Sequence, residues 1–178
     1  MKNDYVIVVD KKDRQIRLEE KLYAHQNNLL HRAFSIFLFN DSKQILLQKR
    51  SPEKYHSANL WSNTCCSHPK EKLTLLESAE LRLVEEMGIK TKLEKTFSFI
   101  YSAKFNNGLF ENEFDHVLFG KYNDDPVLNP KEAQDFMWIE IRELKKQIQL
   151  YPAKFTVWLK IMFENYYKYF KDYEDNNL

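Results

Sequence analysis

The segment NTCCSHP at 63–69 places both cysteines of the chain side by side, with a histidine two residues beyond Cys66. A bridge between neighbours closes almost no loop, so the pair is a poor staple for a fold and a better source of reactive sulfur. On an extended segment the two side chains point to opposite faces, and Cys66 then shares a face with His68. Cys65 reads as a small buried hydrophobe. Further along, ENE at 111–113 sets two glutamates on one face of a strand. Taken alone, that pattern is an ordinary solvent face. Val117 and Phe119 continue its parity, however, while Phe110 and Phe114 line the other, so the strand is apolar on both faces and covered on both. Carboxylates in such a place want a cation.

Histidines stand at 25, 31, 56, 68 and 116. His25 and His31 are not an i, i+4 pair, so no helical zinc motif is present. His116 has the parity opposite to the glutamates and is set aside. Histidines together with Glu111 and Glu113 would suit a divalent transition metal, but spacing alone does not bring them together. The basic residues Lys21, Arg50, Lys54 and Arg82 are scattered, and Arg82 with Glu86 has the i, i+4 spacing of a plain surface ion pair.

Composition narrows the chemistry. Lys+Arg of 27 against Asp+Glu of 26 gives a formal charge of +1, which predicts no bulk attraction to nucleic acid or to an anionic membrane. No apolar run reaches the roughly 18 residues of a membrane span, and the N-terminus lacks a signal-peptide pattern. Few cysteines and no disulfide framework fit a reduced, cytoplasmic setting. The glycines number 3, at 88, 108 and 120, so a glycine-rich phosphate loop is excluded, and any phosphate must be held by side chains or an ion.

The elements that must position these residues can be read in outline. Residues 5–9 and QIRLEE predict paired strands. AFSIFLF and QILLQKR flank the turn NDSK, and WSNTCCSH is a short strand or strand end. Thr74-x-x-Glu77 is a capping box opening a helix with an apolar stripe of Leu76, Ala79, Leu83 and Met87, closed by Gly88. FSFIYSAKF and LFENEFDHVLF are strands joined through Asn107-Gly108. DFMWIEI predicts a strand running into the helix RELKKQIQL. Pro152 opens a long aromatic helix whose Phe155, Leu159, Met162, Tyr166 and Phe170 are spaced for core packing. Together these predict one α+β domain over residues 1–178, with 171–178 a frayed tail.

KLYAHQNNLLHRAFS, LLQKRSPEKYHSANLWSNTCCSHP, LVEEMGI, FENEF and the late TVW, in this order from about residue 5 to 165, resemble the type I isopentenyl-diphosphate isomerases. That resemblance implies a Nudix-like α/β/α sandwich with mixed or antiparallel sheets and a loop–helix–loop element. It implies a metal site of His25, His31, His68, Glu111 and Glu113, holding Mn2+, Mg2+ or Zn2+. It makes Cys66, rather than Cys65, the catalytic thiol, and Glu113 the catalytic carboxylate beside Tyr101. Trp158 would face the reacting carbons, although by periodicity alone it is core packing. Lys21, Arg50, Lys54 and Arg82 would bind an isoprenoid diphosphate, and Glu86 would hold Mg2+ with it. A monomer or weak homodimer is expected. Cys65 stands where the family has an aliphatic or small residue. Leu81 and Arg82 stand where the hydrolytic Nudix signature has Arg-Glu, which argues against pyrophosphohydrolysis. A Nudix-type diphosphohydrolase and a noncatalytic metal-binding module remain the alternatives at this point.

Overall fold

Strand β3 (His31–Phe39) organises the molecule. The computed structural model describes residues 4–54 and 56–177, and within it β3 is buried along nearly its whole length, as its apolar run demands. It pairs in parallel with β8 (Phe110–Lys121), in unbroken register from His31 opposite Glu113 to Phe39 opposite Lys121. Three antiparallel partners share the rest of its pairing: β1 (Tyr5–Val9) at Val8–His31, β6 (Cys65–Ser67) at Ser35–Cys66, and β4 (Gln44–Arg50) at Phe39–Ile45. Strand β2 (Gln15–Glu20) extends the sheet beyond β1, β7 (Leu93–Lys104) beyond β8, and β5 (Trp61–Ser62) and β9 (Ala133–Glu140) beyond β4. The result is one mixed sheet of 9 strands.

Alternation along the strands sends side chains into two separate cores. Phe37, Phe39, Val117 and Phe119 pack under α3 (Ile141–Leu150), α4 (Val157–Asn165) and α5 (Tyr167–Asn177). Ile36, Leu38 and Leu118 pack on the opposite side with Ala79, Leu83 and Met87 of α2 (Leu75–Met87). This is the α/β/α sandwich that the resemblance implied. The capping box forms as expected, with both Thr74–Glu77 bonds made, and Gly88 ends α2 in the left-handed conformation at φ 66°. A Cβ on Gly88 would stand 2.8 Å from the Val127 carbonyl oxygen. Val127 and Asn129 donate backbone hydrogen bonds to the Met87 and Glu86 carbonyls, strapping segment 127–132 across the end of α2.

Several expectations need correction. The helix after Pro152 is not continuous. A 3-10 turn (Pro152–Lys154) is followed by extended Phe155, because Thr156 donates its amide to the Trp61 carbonyl and ties the chain to β5. The helix then breaks again at Tyr166, and the new direction of α5 brings Phe170 within 4.8 Å of the Phe37 ring. The tail expected to fray is helical through Asn177, with Tyr173 packed on the core, while Leu178 lies outside the described residues. Leu76 is exposed, whereas Ser78 and Glu86 of the same helix are buried. The segment 21–31 resolves into a short helix α1 (Lys21–Gln26) leading into β3.

Candidate active site

Backbone register places Glu113 between two neighbours: His31 lies opposite it on β3, and Tyr101 lies opposite it on β7. Two residues before Glu113 along β8, Glu111 points the same way, and both are buried, at 4% and 8% exposed for Glu111 and Glu113. The solvent-face reading of ENE is therefore overturned. His25 reaches the cluster from the last turn of α1, and His68 from just past β6. The ligand atoms of His25, His31, His68, Glu111 and Glu113 all lie within 4.8 Å of one another.

Hydrogen bonds behind the rings decide which nitrogen faces inward. His25 Nδ1 bonds the Lys21 carbonyl at 2.7 Å, and His31 Nδ1 bonds the Leu29 carbonyl at 2.8 Å. A carbonyl can only accept, so Nδ1 carries the proton and each Nε2 presents a lone pair to the centre. Among the described residues, the buried His31 Nε2 and Glu111 Oε2 find no hydrogen-bond partner. An orphaned imidazole lone pair beside orphaned carboxylate oxygen is what a cation site requires. The residues present thus fit a divalent ion.

Burial and neighbouring charge separate the two glutamates. Burial opposes the charge of Glu111, but the neighbouring His25 and His56 rings outweigh it and hold this carboxyl well below the usual carboxylate range. Glu113 is pushed well above the usual carboxylate range, first by burial and then by the charges of Glu111 and Asp115. Its Oε2 accepts a 2.6 Å hydrogen bond from the Tyr101 hydroxyl, and His68 Nε2 lies 3.1 Å from its Oε1. Burial also drives His31 down to about 4 and His68 well below its ordinary value, so both rings stay neutral and able to ligate.

Cys66 splits from Cys65 as strand alternation predicts. Cys65 is fully buried in the α2 core, while Cys66 packs at the edge of the opposite core and lines the pocket with Tyr101, Glu113 and Trp158. Both are free thiols. Burial pushes Cys66 up to about 12, against the pull of the Arg50 guanidinium. Trp158 is held rigidly, its Nε1–H donating to Ser62 Oγ at 3.1 Å and Asn63 Oδ1 at 3.0 Å. The Arg50 guanidinium lies 5.3 Å from the indole centroid.

The scattered basic residues converge. Lys21, Arg50, Lys54 and Arg82 all line the same pocket. Arg50 donates to the carbonyls of Ser57 and His56 at 3.2 Å each. Arg82 Nε lies 2.8 Å from Glu86 Oε1. That contact is no surface pair, since Glu86 is 2% exposed and its other oxygen accepts from Gln48 at 3.0 Å.

Sequence reasoning missed two residues here. His56, left unassigned, lies with Nε2 2.9 Å from Glu111 Oε1 and stacks on Phe105 at 4.8 Å. Glu132 contacts both Lys54 and Arg82. Each stands in an irregular loop, where no periodicity predicts the direction of a side chain. His116, which the strand parity set opposite the glutamates, meets Asp13 at 3.0 Å.

Comparison with known proteins agrees with this architecture. The NUDIX domain model matches residues 29–159. An isopentenyl-diphosphate Delta-isomerase 1 of Aromatoleum aromaticum is 48% identical over 157 residues, 88% of this chain and 89% of the relative. An isopentenyl-diphosphate Delta-isomerase of Pectobacterium atrosepticum is 41% identical over 169 residues, 93% of this chain and 94% of the relative. Among solved structures, a Deinococcus radiodurans protein superposes with a TM-score of 0.74 at 17% identity, covering 92% of this chain and 99% of its own. A MutT NUDIX hydrolase of Burkholderia pseudomallei superposes at 0.60 with 17% identity, covering 76% and 96%. At that identity the structural likeness speaks for the fold alone.

Proposed function

Because the chain belongs to the NUDIX family and, within it, to the isopentenyl-diphosphate Delta-isomerases, we propose that its pocket interconverts isopentenyl and dimethylallyl diphosphate, a step of isoprenoid biosynthesis. A proton added to the terminal CH2 leaves a tertiary carbocation. Loss of a proton from the neighbouring carbon on the diphosphate side then forms the internal double bond. One proton is delivered and one removed. An unactivated alkene is a very weak base, so the donor must be aimed at carbon and kept from water.

Cys66 and Glu113 are the groups suited to this exchange, one on each face of the allylic unit. Burial favours the protonated form of both groups. In each direction one holds the proton that is delivered and the other has given up its own to act as acceptor, and the roles exchange with the direction of reaction. Tyr101 fixes the carboxyl through its 2.6 Å bond. Trp158 offers its π face to the cation, a contribution of about 2 kcal/mol or more once desolvated. Its pinned indole costs little reorganisation when charge develops. The observation that carries this assignment is Glu113: a buried, tyrosine-bonded carboxyl that opens on the same pocket as the Cys66 thiol.

His25, His31, His68, Glu111 and Glu113 would hold a divalent ion, which when bound supplies positive charge that orients Glu113 and tunes its proton affinity. The histidine-rich set favours Mn2+ or Zn2+ over Mg2+. Glu86 would hold Mg2+ with the substrate diphosphate, clamped by Lys21, Arg50, Lys54 and Arg82. Binding energy from that unreactive group aligns the alkene. The setting is a cytoplasmic enzyme acting on a small diphosphate as a monomer or weak homodimer.

Incubation with isopentenyl diphosphate and Mg2+ in D2O tests this. Carbon-bound deuterium in dimethylallyl diphosphate without phosphate release is the expected result. Phosphate release would indicate a diphosphohydrolase, and metal uptake with no C–D bond a noncatalytic module. Cys66→Ala should abolish exchange, while Cys65→Ala retains most of it. Equal losses would mean that the wrong sulfur has been chosen or that the two act together.

A further inference from the structure

Two of the cations that line the pocket are already engaged by carboxylates. Arg82 Nη2 lies 2.8 Å from Glu132 Oε2, and Lys54 Nζ contacts the same oxygen. The remaining Arg82 nitrogens face Glu85 at 3.2 Å and Glu86 at 2.8 Å. Every nitrogen of this guanidinium therefore has an acidic neighbour. An incoming diphosphate cannot gain the full attraction of Lys54 and Arg82 unless one carboxylate yields.

The surroundings select which one. Glu86 is buried and bonded to Gln48. The Glu85 side chain is 41% exposed, and among the described residues its ion pairs are with Arg82 and, at 3.8 Å, Lys70, which lies outside the pocket lining. Glu132 bridges two pocket-lining cations, and its side chain keeps 20% of its surface exposed, leaving a path into solvent. Its backbone is fastened: its amide donates to the Asn129 carbonyl at 2.9 Å, and its carbonyl accepts from Ser51 at 3.0 Å. The carboxylate can leave by side-chain rotation while the loop stays in place.

We propose that Glu132 is a placeholder anion, its carboxylate filling between Lys54 and Arg82 the position that a diphosphate oxygen takes over when substrate binds. This rests on the diphosphate assignment of the same cations. The empty pocket would thereby keep a flexible lysine ordered without substrate, since a paired lysine has already given up side-chain freedom. Competition from Glu132 would also weaken the grip on the diphosphate. Substrate and product carry the same group, so that weakening assists product release as much as it opposes capture.

The test is calorimetric titration of inorganic pyrophosphate into the full-length protein and its variants. Glu132→Gln should tighten the pyrophosphate Kd by about tenfold, the scale of one charge-assisted contact no longer in competition. Glu85→Gln, which removes the same charge from the outer side of Arg82, should change Kd by less than about threefold at physiological salt. Glu132→Ala should tighten binding like Glu132→Gln, and unchanged melting temperatures would show that the variants fold. An unchanged or weakened Kd in Glu132→Gln overturns the proposal, and so does an equal gain in Glu85→Gln, which would reveal bulk charge alone. Lys54→Ala separates the two levels. If it leaves wild-type pyrophosphate binding intact, the diphosphate assignment itself fails and the placeholder with it. If it weakens binding while Glu132→Gln does not tighten it, only the placeholder fails.

Discussion

The protonation state of Cys66 can be measured directly, and its magnitude follows from the burial of the thiol. The folded protein moves this group from an ordinary 9.0 up to about 12. At pH 8 an ordinary thiol is about one-tenth thiolate, whereas Cys66 would be about one ten-thousandth, a loss of about a thousandfold in reactive species. The more basic thiolate is the better nucleophile, and a Brønsted slope of about 0.4–0.5 returns about twenty- to thirtyfold. The net expectation is attack on an aromatic disulfide reagent about fortyfold slower than by the same cysteine in denaturant. The assay uses EDTA-treated Cys65→Ala protein, so that one thiol is followed, with rates taken from about pH 7 to 10. The logarithm of the rate should climb throughout, with no plateau near the ordinary thiol value. Poor access alone would lower every rate but leave that plateau in place, so the curve's shape separates the two causes. A plateau at or below pH 9.0 would refute the reasoning, because it would show that burial does not hold the Cys66 thiol above its ordinary value.

Tyr101→Phe removes the 2.6 Å bond to Glu113; a bond to a charged or charge-sharing partner is worth about 1.5–3 kcal/mol, so kcat should fall by about ten- to a hundredfold with KM little changed, and a smaller than threefold fall would show the bond to be incidental. His56→Ala unties Glu111 Oε1 and should weaken Mn2+ binding to the stripped protein by about tenfold or more; an unchanged Mn2+ Kd by electron spin resonance would refute a positioning role. His116 is pushed down to about 4, first by burial and then by Lys95, which together with Arg32 outweigh the Asp13 carboxylate. The unfolded chain therefore takes up a proton near 6.5 that the fold refuses, so this histidine's share of stability is complete above 6.5 and is lost as pH falls towards 4. His116→Gln should flatten that acid limb in urea melts, and an unaltered limb would contradict the assigned direction.

Much of the site was legible because strands translate sequence into direction. The period of two was enough to put Glu111 and Glu113 together and His116 opposite, and to separate Cys66 from Cys65. The capping box and Gly88 bounded α2 because their hydrogen-bond demands are local. What could not be read depends on the third dimension. His56 and Glu132 reach their partners from loops, whose side chains follow no period. The buried state of Glu86 depends on which face of α2 meets the sheet, and Leu76 misled by continuing the apolar stripe into a turn that the sheet does not cover. The broken C-terminal helix was hidden for a similar reason: the Thr156 bond to Trp61 overrides local helix preference. The convergence of Lys21, Arg50, Lys54 and Arg82 was implied by resemblance, since their spacing carries no such information.

Gly88 has a reach beyond closing a helix. Because position 88 bears only a hydrogen on the crowded side, Val127 can settle 2.8 Å from where a methyl would be. Asn129 can then grip the end of α2, and through Glu132 this short crossing determines how closely acid and base meet around Arg82. One missing methyl thus acts as a spacer that sets the clearance of a charged cluster further along the loop. A bulkier residue at 88 would loosen that cluster without touching any of its members.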